Sequence, residues 1–303
     1  MPLTPDLKAD LVRRIREQSS PLDPRPTGLI PSCPRIPRIR AILFDVYGTL
    51  MISAAGDVGT TITQSRNAHV EDALRAVGLT PVPGAGAAAL RSYHESIRSE
   101  HDSRRKDSAL QPEVNIVEIW RRVMNRLLQE GYASGPLPDE SLYILAVEFE
   151  LRQNPVWMMP GAVSVLRELR DRGLLLGLVS NAQFFTPLMI EALSGLSLDE
   201  LGFAADLHLW SWEQGEAKPS PTLWQRATRR LSAHHGIPPS AVLAVGNDGA
   251  NDIAAPASLG CHTALFAGDA RSLRNTETQD GASAADVVLT DLRQLTGVLE
   301  PES

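Results

Sequence analysis

The chain has 303 residues, 43% of them hydrophobic, which suffices for one large or two modest domains with a buried core. Its formal charge of −7 is spread over mixed acids and bases, with no Lys/Arg-rich stripe interleaved with aromatics, which argues against nucleic acid as a partner. No apolar run approaches the ~20 residues that span a bilayer, the opening residues lack the apolar stretch of a signal peptide, and two cysteines, Cys33 and Cys261, make no disulfide framework. A cytoplasmic setting without membrane contact is the expectation.

In chain order, residues 6–18 have the apolar spacing of a short amphipathic helix, with Leu7, Leu11, Val12 and Ile15 on one side. The proline-dense stretch that follows, PLDPRPTGLIPSCPRIPR, excludes helix and central strand. It predicts an extended arm, so residues 1–39 read as an N-terminal extension. At Arg40 the apolar, β-branched run RAILFDV predicts a buried strand. Similar runs recur at 174–181, 206–212, 241–248, 262–269 and 286–289, with helical patterns between them at 161–173, 185–195, 221–236 and 250–259. Strands alternating with helices of this length imply βαβ units and a parallel sheet. Residues 64–154 break the alternation with four helical patterns and no convincing strand. The predicted organisation is an α/β core, 40–63 and 155–303, with a Rossmann-like parallel sheet and an inserted α-helical cap at 64–154.

In an open parallel sheet, function collects beyond the carboxyl ends of the strands. The first predicted strand ends at Asp45, followed by the turn residues Gly48 and Thr49. The second ends in Ser180 and Asn181, and the fourth runs into GNDGAND with Asp248 and Asp252. Lys218 lies just past the third, in GEAKPSP. Asp45 can act as a nucleophile or a cation ligand. Asp248 could share a Mg²⁺ with it, because hard cations take carboxylate oxygens. Ser180 and Asn181 offer donors to an oxyanion and Lys218 a point charge. Each residue taken singly also reads as ordinary turn or surface chemistry. Their order on successive strand ends is what suits phosphoryl transfer.

FDVYGTL, VSN, GEAKPSP and VGNDGANDI, in that order, resemble the four signature motifs of the haloacid dehalogenase (HAD) superfamily, with a first motif of the form Asp-X-Tyr-Gly-Thr. The resemblance spans roughly residues 40 to 295, and the helical insertion resembles the superfamily's C1-type cap. It implies a Rossmann-like sheet and a covalent aspartyl intermediate. Asp45 would be the nucleophile, Ser180 and Asn181 would hold the transferring group, and Lys218 would neutralise it. Mg²⁺ would be held by Asp45, Asp248 and the backbone carbonyl of Tyr47, with Asp252 beside it as a further ligand or as an acceptor behind the ligands. The small-molecule substrate would be anionic, with Gly48, Thr49, Asp57 and Arg104 as candidate contacts.

Superfamily phosphatases usually carry a second aspartate where this chain has Tyr47. A phenol with a pKa near ~10 is a poor base at neutral pH, and losing a positioned acid–base group costs about 10²–10⁴ in rate. Asp57, between Gly56 and Gly59, is a candidate replacement. Branches that hydrolyse 2-haloacids resemble the Asp-X-Tyr-Gly-Thr motif and need no metal, since a halide departs without a proton. Against that branch stand the two acids of GNDGAND and the lack of its arginine pattern early in the cap, where Arg66 is the nearest candidate. The expectation is therefore a Mg²⁺-assisted phosphohydrolase acting on a small phosphorylated metabolite. A metal-independent 2-haloacid dehalogenase and a catalytically weakened binding protein are the alternatives. The oligomeric state is not fixed by these features.

Overall fold

A computed structural model describes residues 3–55, 64–106, 109–275 and 285–299. The apolar run after Arg40 forms β1 (Ala41–Phe44), all four residues buried, and Asp45 stands just beyond its tip. β1 lies inside a six-stranded sheet of order β10-β9-β8-β1-β6-β7, and every pairing in that sheet is parallel. The other members are β6 (Leu175–Ser180), β7 (Phe203–Trp210), β8 (Val242–Gly246), β9 (His262–Phe266) and β10 (Val287–Leu289). Phe44 pairs with Leu178 on one side and Val245 on the other, so β1 ends two residues short of β6 and one short of β8, and the three tips open at the same edge.

Side chains alternate across a strand, and β1 divides its four between two cores. Ile42 and Phe44 face one core, where Phe44 meets Phe203 edge to face. Ala41 and Leu43 face the other, with Leu223, Trp224 and Leu231 of a helix over Thr222–His235. Burial on both faces is why the strand reads as a continuous apolar run rather than an alternation.

Between the first two sheet strands the chain forms β2 (Met51–Ser53), α2 (Gln64–Ala76), β3 (Thr80–Pro81), α3 (Ala85–Lys106), α4 (Ile116–Gln129), β4 (Ala133–Ser134), α5 (Asp139–Gln153) and β5 (Val156–Met158). β2 and β5 pair antiparallel and form the neck of this insertion. β3 and β4 also pair. At two residues each they are too short to leave a pattern in the sequence. α4 shows why the insertion folds: Asn115 caps its first turn, and Ile116, Ile119, Trp120, Val123 and Leu127 bury one stripe. Trp120 packs against Tyr93 and Phe149 from the neighbouring helices.

The core continues through α6 (Ala162–Asp171) and α7 (Thr186–Ser194). Two elements differ from expectation. β7 starts at Phe203 and stops at Trp210, so Trp212 lies in the short helical turn Ser211–Gln214 rather than on the strand. The helix expected over 250–259 is divided into a π-helical turn, Gly249–Ala254, and a short α-helix, Ala255–Ser258.

The N-terminal segment is bound to the core along its length. α1 (Pro5–Gln18) is capped by Thr4 and buries Leu7, Leu11 and Ile15. Further on, Ser32 exchanges backbone hydrogen bonds with Val288 at 2.9 and 2.8 Å, covering the outer edge of β10.

Candidate active site

The site begins where β1 stops. Gly48 adopts φ +84, and a Cβ there would lie 2.4 Å from Ser272 Cβ, so both conformation and space demand glycine. The turn buries Thr49, whose hydroxyl donates to Asn247 Oδ1 at 3.0 Å.

Asp45 is buried, and its two oxygens are treated differently. Oδ1 accepts from Ser180 Oγ at 3.1 Å and from Lys218 Nζ at 2.7 Å. Among the described residues Oδ2 has only the Thr49 hydroxyl, 3.5 Å away. Lys218 Nζ also donates to Asp252 Oδ1 at 2.6 Å and to the Val179 carbonyl at 3.0 Å, which uses all three ammonium protons. Burial alone would lower the Lys218 pKa, but Asp252 and Asp45 outweigh it and hold the ammonium above its ordinary range. Asp252 is fully surrounded, and burial pushes its carboxyl up against the opposing pull of Lys218. Its second oxygen accepts from the backbone N–H groups of Asn247 and Asp248, both at 3.1 Å. Gly246 makes this possible, since a Cβ there would stand 2.3 Å from Asp252 Cβ.

Asp248, expected beside Asp45 on a shared ion, is engaged differently. Oδ1 accepts from the N–H groups of Ala250 and Asn251 at 2.8 and 3.2 Å and from Asn275 Nδ2 at 2.9 Å, and Oδ2 accepts from Asn251 Nδ2 at 3.1 Å. It caps the π-helical turn. Asn247, one residue earlier, is the polar side chain at the β8 tip that reaches the Asp45 turn. The cation against Asp45 is thus the ammonium of Lys218, which bridges it to Asp252. Among the described residues no group of three or more His, Cys, Asp or Glu is placed to hold a metal ion. This donor set fits Mg²⁺ poorly: Oδ2 of Asp45 is open, but Asp252 is bound to the ammonium and to two backbone N–H groups, Asp248 is spent on a cap, and Asn247 is held by Thr49 and by the Ser272 carbonyl at 2.6 Å.

Tyr47 is also committed. Its hydroxyl shares a hydrogen bond with Thr186 Oγ1 at 2.9 Å and lies 3.6 Å from Met189 Sδ. Burial, then the charge of Glu150, pushes its pKa well above the ordinary phenol value. It cannot accept a proton from water near neutral pH. Asn181 was expected to face an oxyanion. Its side chain instead braces the backbone of Lys218, accepting from Lys218 N at 2.7 Å and donating to Lys218 O at 3.1 Å. Ser180 is wholly buried behind Asp45.

Asp45, Tyr47, Asn181, Lys218, Asp248 and Asp252 line one cleft of about 570 Å³ between the sheet's carboxyl edge and the helical insertion. Arg104 is not among its lining residues. It pairs with Glu100 at 3.0 Å on the last turns of α3. Asp57 lies outside the described residues. Several lining groups went unnoticed in the sequence: Tyr93, Glu113, Glu150, Gln183, Asn247 and Arg274. Glu113 accepts from Ser211 Oγ at 2.6 Å, from Val114 N at 2.8 Å and from Gln183 Nε2 at 3.3 Å. Glu150, on the last turn of α5, accepts among the described residues only from Asn154 Nδ2, at 3.3 Å. Its position in FELRQ differs little from that of Glu148, and only a reliable helical phase for α5 would have separated the two. α5 buries residues on nearly every side, so that phase is blurred.

A buried carboxylate at the tip of the central strand, an ammonium against it and a helical insertion over the cleft define a Rossmann-type α/β protein with a hydrolase-like site. A model of the haloacid dehalogenase-like hydrolase family matches residues 39–260, more than half of the chain, and the chain belongs to that family. No curated protein matches it. Among solved structures it is similar to a 2-haloacid dehalogenase from Pseudomonas syringae pv. Tomato DC3000, with 23% identity and a TM-score of 0.53 over 86% of this chain and 97% of that one. It is also similar to a HAD phosphatase from Thermococcus onnurineus, with 19% identity and a TM-score of 0.49 over 86% and 97% of the two chains. A third is a predicted phosphoglycolate phosphatase from Haemophilus somnus 129pt, with 16% identity and a TM-score of 0.45 over 86% and 98%. At 23% identity and a TM-score of 0.53, the likeness to the first of these establishes the fold alone.

Proposed function

We propose that the chain is a metal-independent hydrolase that forms an ester at Asp45 by displacing a leaving group that departs as a stable anion, as in hydrolysis of a 2-haloacid. The observation that carries this reading is the Lys218 bridge, 2.7 Å from Asp45 and 2.6 Å from Asp252. It supplies the cation the two carboxylates need. The phosphohydrolase expectation rested on Asp248 as a ligand, and its oxygens are occupied by the cap.

The chemistry follows from the two faces of Asp45. Oδ1 is fixed by Ser180 and Lys218, which leaves Oδ2 to attack. The Oδ2–carbon bond forms as the carbon–halogen bond breaks, and the halide leaves with the bonding electrons. No acid is needed, so a tyrosine at position 47 is no handicap. Lys218 balances the charge of Asp252 once Asp45 becomes a neutral ester. Water then attacks the Asp45 carbonyl carbon, releasing the 2-hydroxy acid.

The test is halide release from racemic 2-chloropropionate with and without chelator. Release unaffected by EDTA and abolished by Asp45→Asn supports the reading. No halide, but phosphate release from p-nitrophenyl phosphate that requires added Mg²⁺, overturns it in favour of phosphohydrolysis. That second reading has one observation on its side: Asp248 lines the same cleft as Asp45.

A further inference from the structure

Hydrolysis of an aspartyl ester requires a group that takes a proton from the attacking water, and most of the acidic groups lining this cleft are already engaged. Tyr47 is a locked phenol. Asp252 is bound to Lys218 and to two backbone N–H groups. Asp248 accepts four hydrogen bonds in its cap. Glu113 accepts three. Glu150 is different. It lines the cleft with Asp45, has no cationic partner among the described residues, and receives a single long hydrogen bond from Asn154. Asn154 is itself buried and anchored, its Oδ1 accepting from Ser53 Oγ at 2.8 Å and from Ala55 N at 3.2 Å at the neck of the insertion. The carboxylate is thus held in place without being neutralised.

We infer that Glu150 is the acid–base group of this hydrolase, delivered by the helical insertion to the side of the cleft that Tyr47 occupies in place of a second aspartate. This deepens the reading of Asp45 as an ester-forming nucleophile and rests on it. In the hydrolytic step the water oxygen bonds to the Asp45 carbonyl carbon while one water proton passes to Glu150. The bond from that carbon to the former Oδ2, now attached to the substrate carbon, then breaks, so the water oxygen replaces Oδ2 in Asp45. The departing oxygen takes the proton back from Glu150 and becomes the product hydroxyl, and the acid proton left on Asp45 goes to solvent. The net change is halide, one proton and a 2-hydroxy acid from a 2-haloacid and water.

The surroundings suit the task. Tyr47 from the β1 turn and Tyr93 from α3 feel the charge of Glu150 and stay protonated. Arg66 of α2 and Glu113 act on the same Tyr93, while Asp45 and Lys218 stand across the cleft. Burial pushes the Glu150 carboxyl up to about 7, against a weak opposing hydrogen bond from Asn154. A base poised near the working pH is the most effective kind.

The test uses full-length wild type, Glu150→Gln and Glu150→Asp with racemic 2-chloropropionate, and p-nitrophenyl phosphate as a second probe. Glu150→Gln should release about one equivalent of halide per site and then slow by about 10²–10⁴-fold. The ester should accumulate on the Asp45 peptide by mass spectrometry, and the rise in rate through pH 7 should vanish. Glu150→Asp should restore part of the rate and of the pH dependence. Unchanged turnover, pH profile and ester level in Glu150→Gln overturn the inference. Infrared difference spectra of wild type against Glu150→Gln test it without substrate: a carboxyl titrating near 7 supports it, and one titrating in the ordinary glutamate range overturns it. Wild type inactive on both probes overturns the proposed function instead, and the infrared titration then decides the role of Glu150.

Discussion

Replacing Lys218 by methionine leaves Asp45 and Asp252 facing each other in a buried site with no cation. Removing one partner of a buried pair costs about 3–5 kcal/mol, and here two carboxylates lose the same partner. One of them must then hold a proton. A carboxyl whose folded pKa is raised binds a proton that the unfolded chain has released, so it favours the folded state as pH falls. Lys218→Met should therefore be strongly destabilised at pH 8 and recover part of that loss at pH 5, measured by urea unfolding. A flat difference between the two pH values would mean that the bridge is not made in solution. Glu150 obeys the same sign with less at stake. Its carboxyl stands near 7 against an ordinary 4.5, so the wild type loses about 3 kcal/mol as pH rises between those values. Glu150→Gln escapes that loss. It should be the more stable protein at pH 8 and equal to wild type below pH 4.5, while being the slower enzyme.

The π-helical turn after β8 shows what an element can conceal. GNDGAND announces a carboxylate-bearing turn at a strand end, and it is one. Which carboxylate faces Asp45 depends on the path of the backbone there. The widened turn sends Asp252 inward to Lys218 and leaves Asp248 as the cap of its own first N–H groups. No periodicity of apolar residues reports a π-turn. The strands were legible because burial on both faces makes them runs of Val, Leu, Ile and Ala, and β1 with Asp45 at its tip is the clearest case. The chain order of Asp45, Ser180, Lys218 and Asp252 on successive strand ends was legible for the same reason. The insertion's share of the cleft was not: Tyr93 and Glu150 sit on helices that cross the site at angles a one-dimensional pattern does not contain, and Glu113 lies in the connection between α3 and α4, which has no period. The cap makes its own prediction. Asp248→Ala removes a helix-cap acceptor and should cost about 0.5–2 kcal/mol. It should leave halide release within about tenfold of wild type. A loss as deep as that of Asp45→Asn would return Asp248 to the catalytic machinery.

At the scale of the whole molecule, the N-terminal segment holds the insertion and the core together. α1 packs on α7 of the core and on α5 of the insertion. Its Lys8 pairs with Glu191 of α7 at 2.7 Å, while Arg14 and Gln18 reach Glu148 of α5 at 2.9 and 2.8 Å. Glu148 is buried, and Arg152 also donates to it, at 2.5 Å. Burial would raise the Glu148 carboxyl, but the hydrogen bonds from Arg152, Gln18 and Arg14 together hold it below its ordinary value. A depressed carboxyl stabilises the fold above its unfolded pKa and loses that effect as pH falls through the folded one. The clamp between α1 and α5 is thus a neutral-pH feature that acid releases. Since α5 also carries Glu150 two residues further on, with its side chain in the cleft, slack in α1 is transmitted to the wall of the site. Arg14→Ala removes the charged hydrogen bond to Glu148, worth about 1.5–3 kcal/mol, together with the pair to Asp10 within α1, and leaves every cleft residue in place. It should raise amide hydrogen exchange along α1 and the second half of α5 while exchange in β1, β6 and β8 stays at wild-type levels. Wild type taken to acid below the folded pKa of Glu148, which lies under the ordinary glutamate value, should drift toward the same pattern. Equal exchange in α5 for variant and wild type at neutral pH would mean that α1 merely rests on the insertion and does not restrain it.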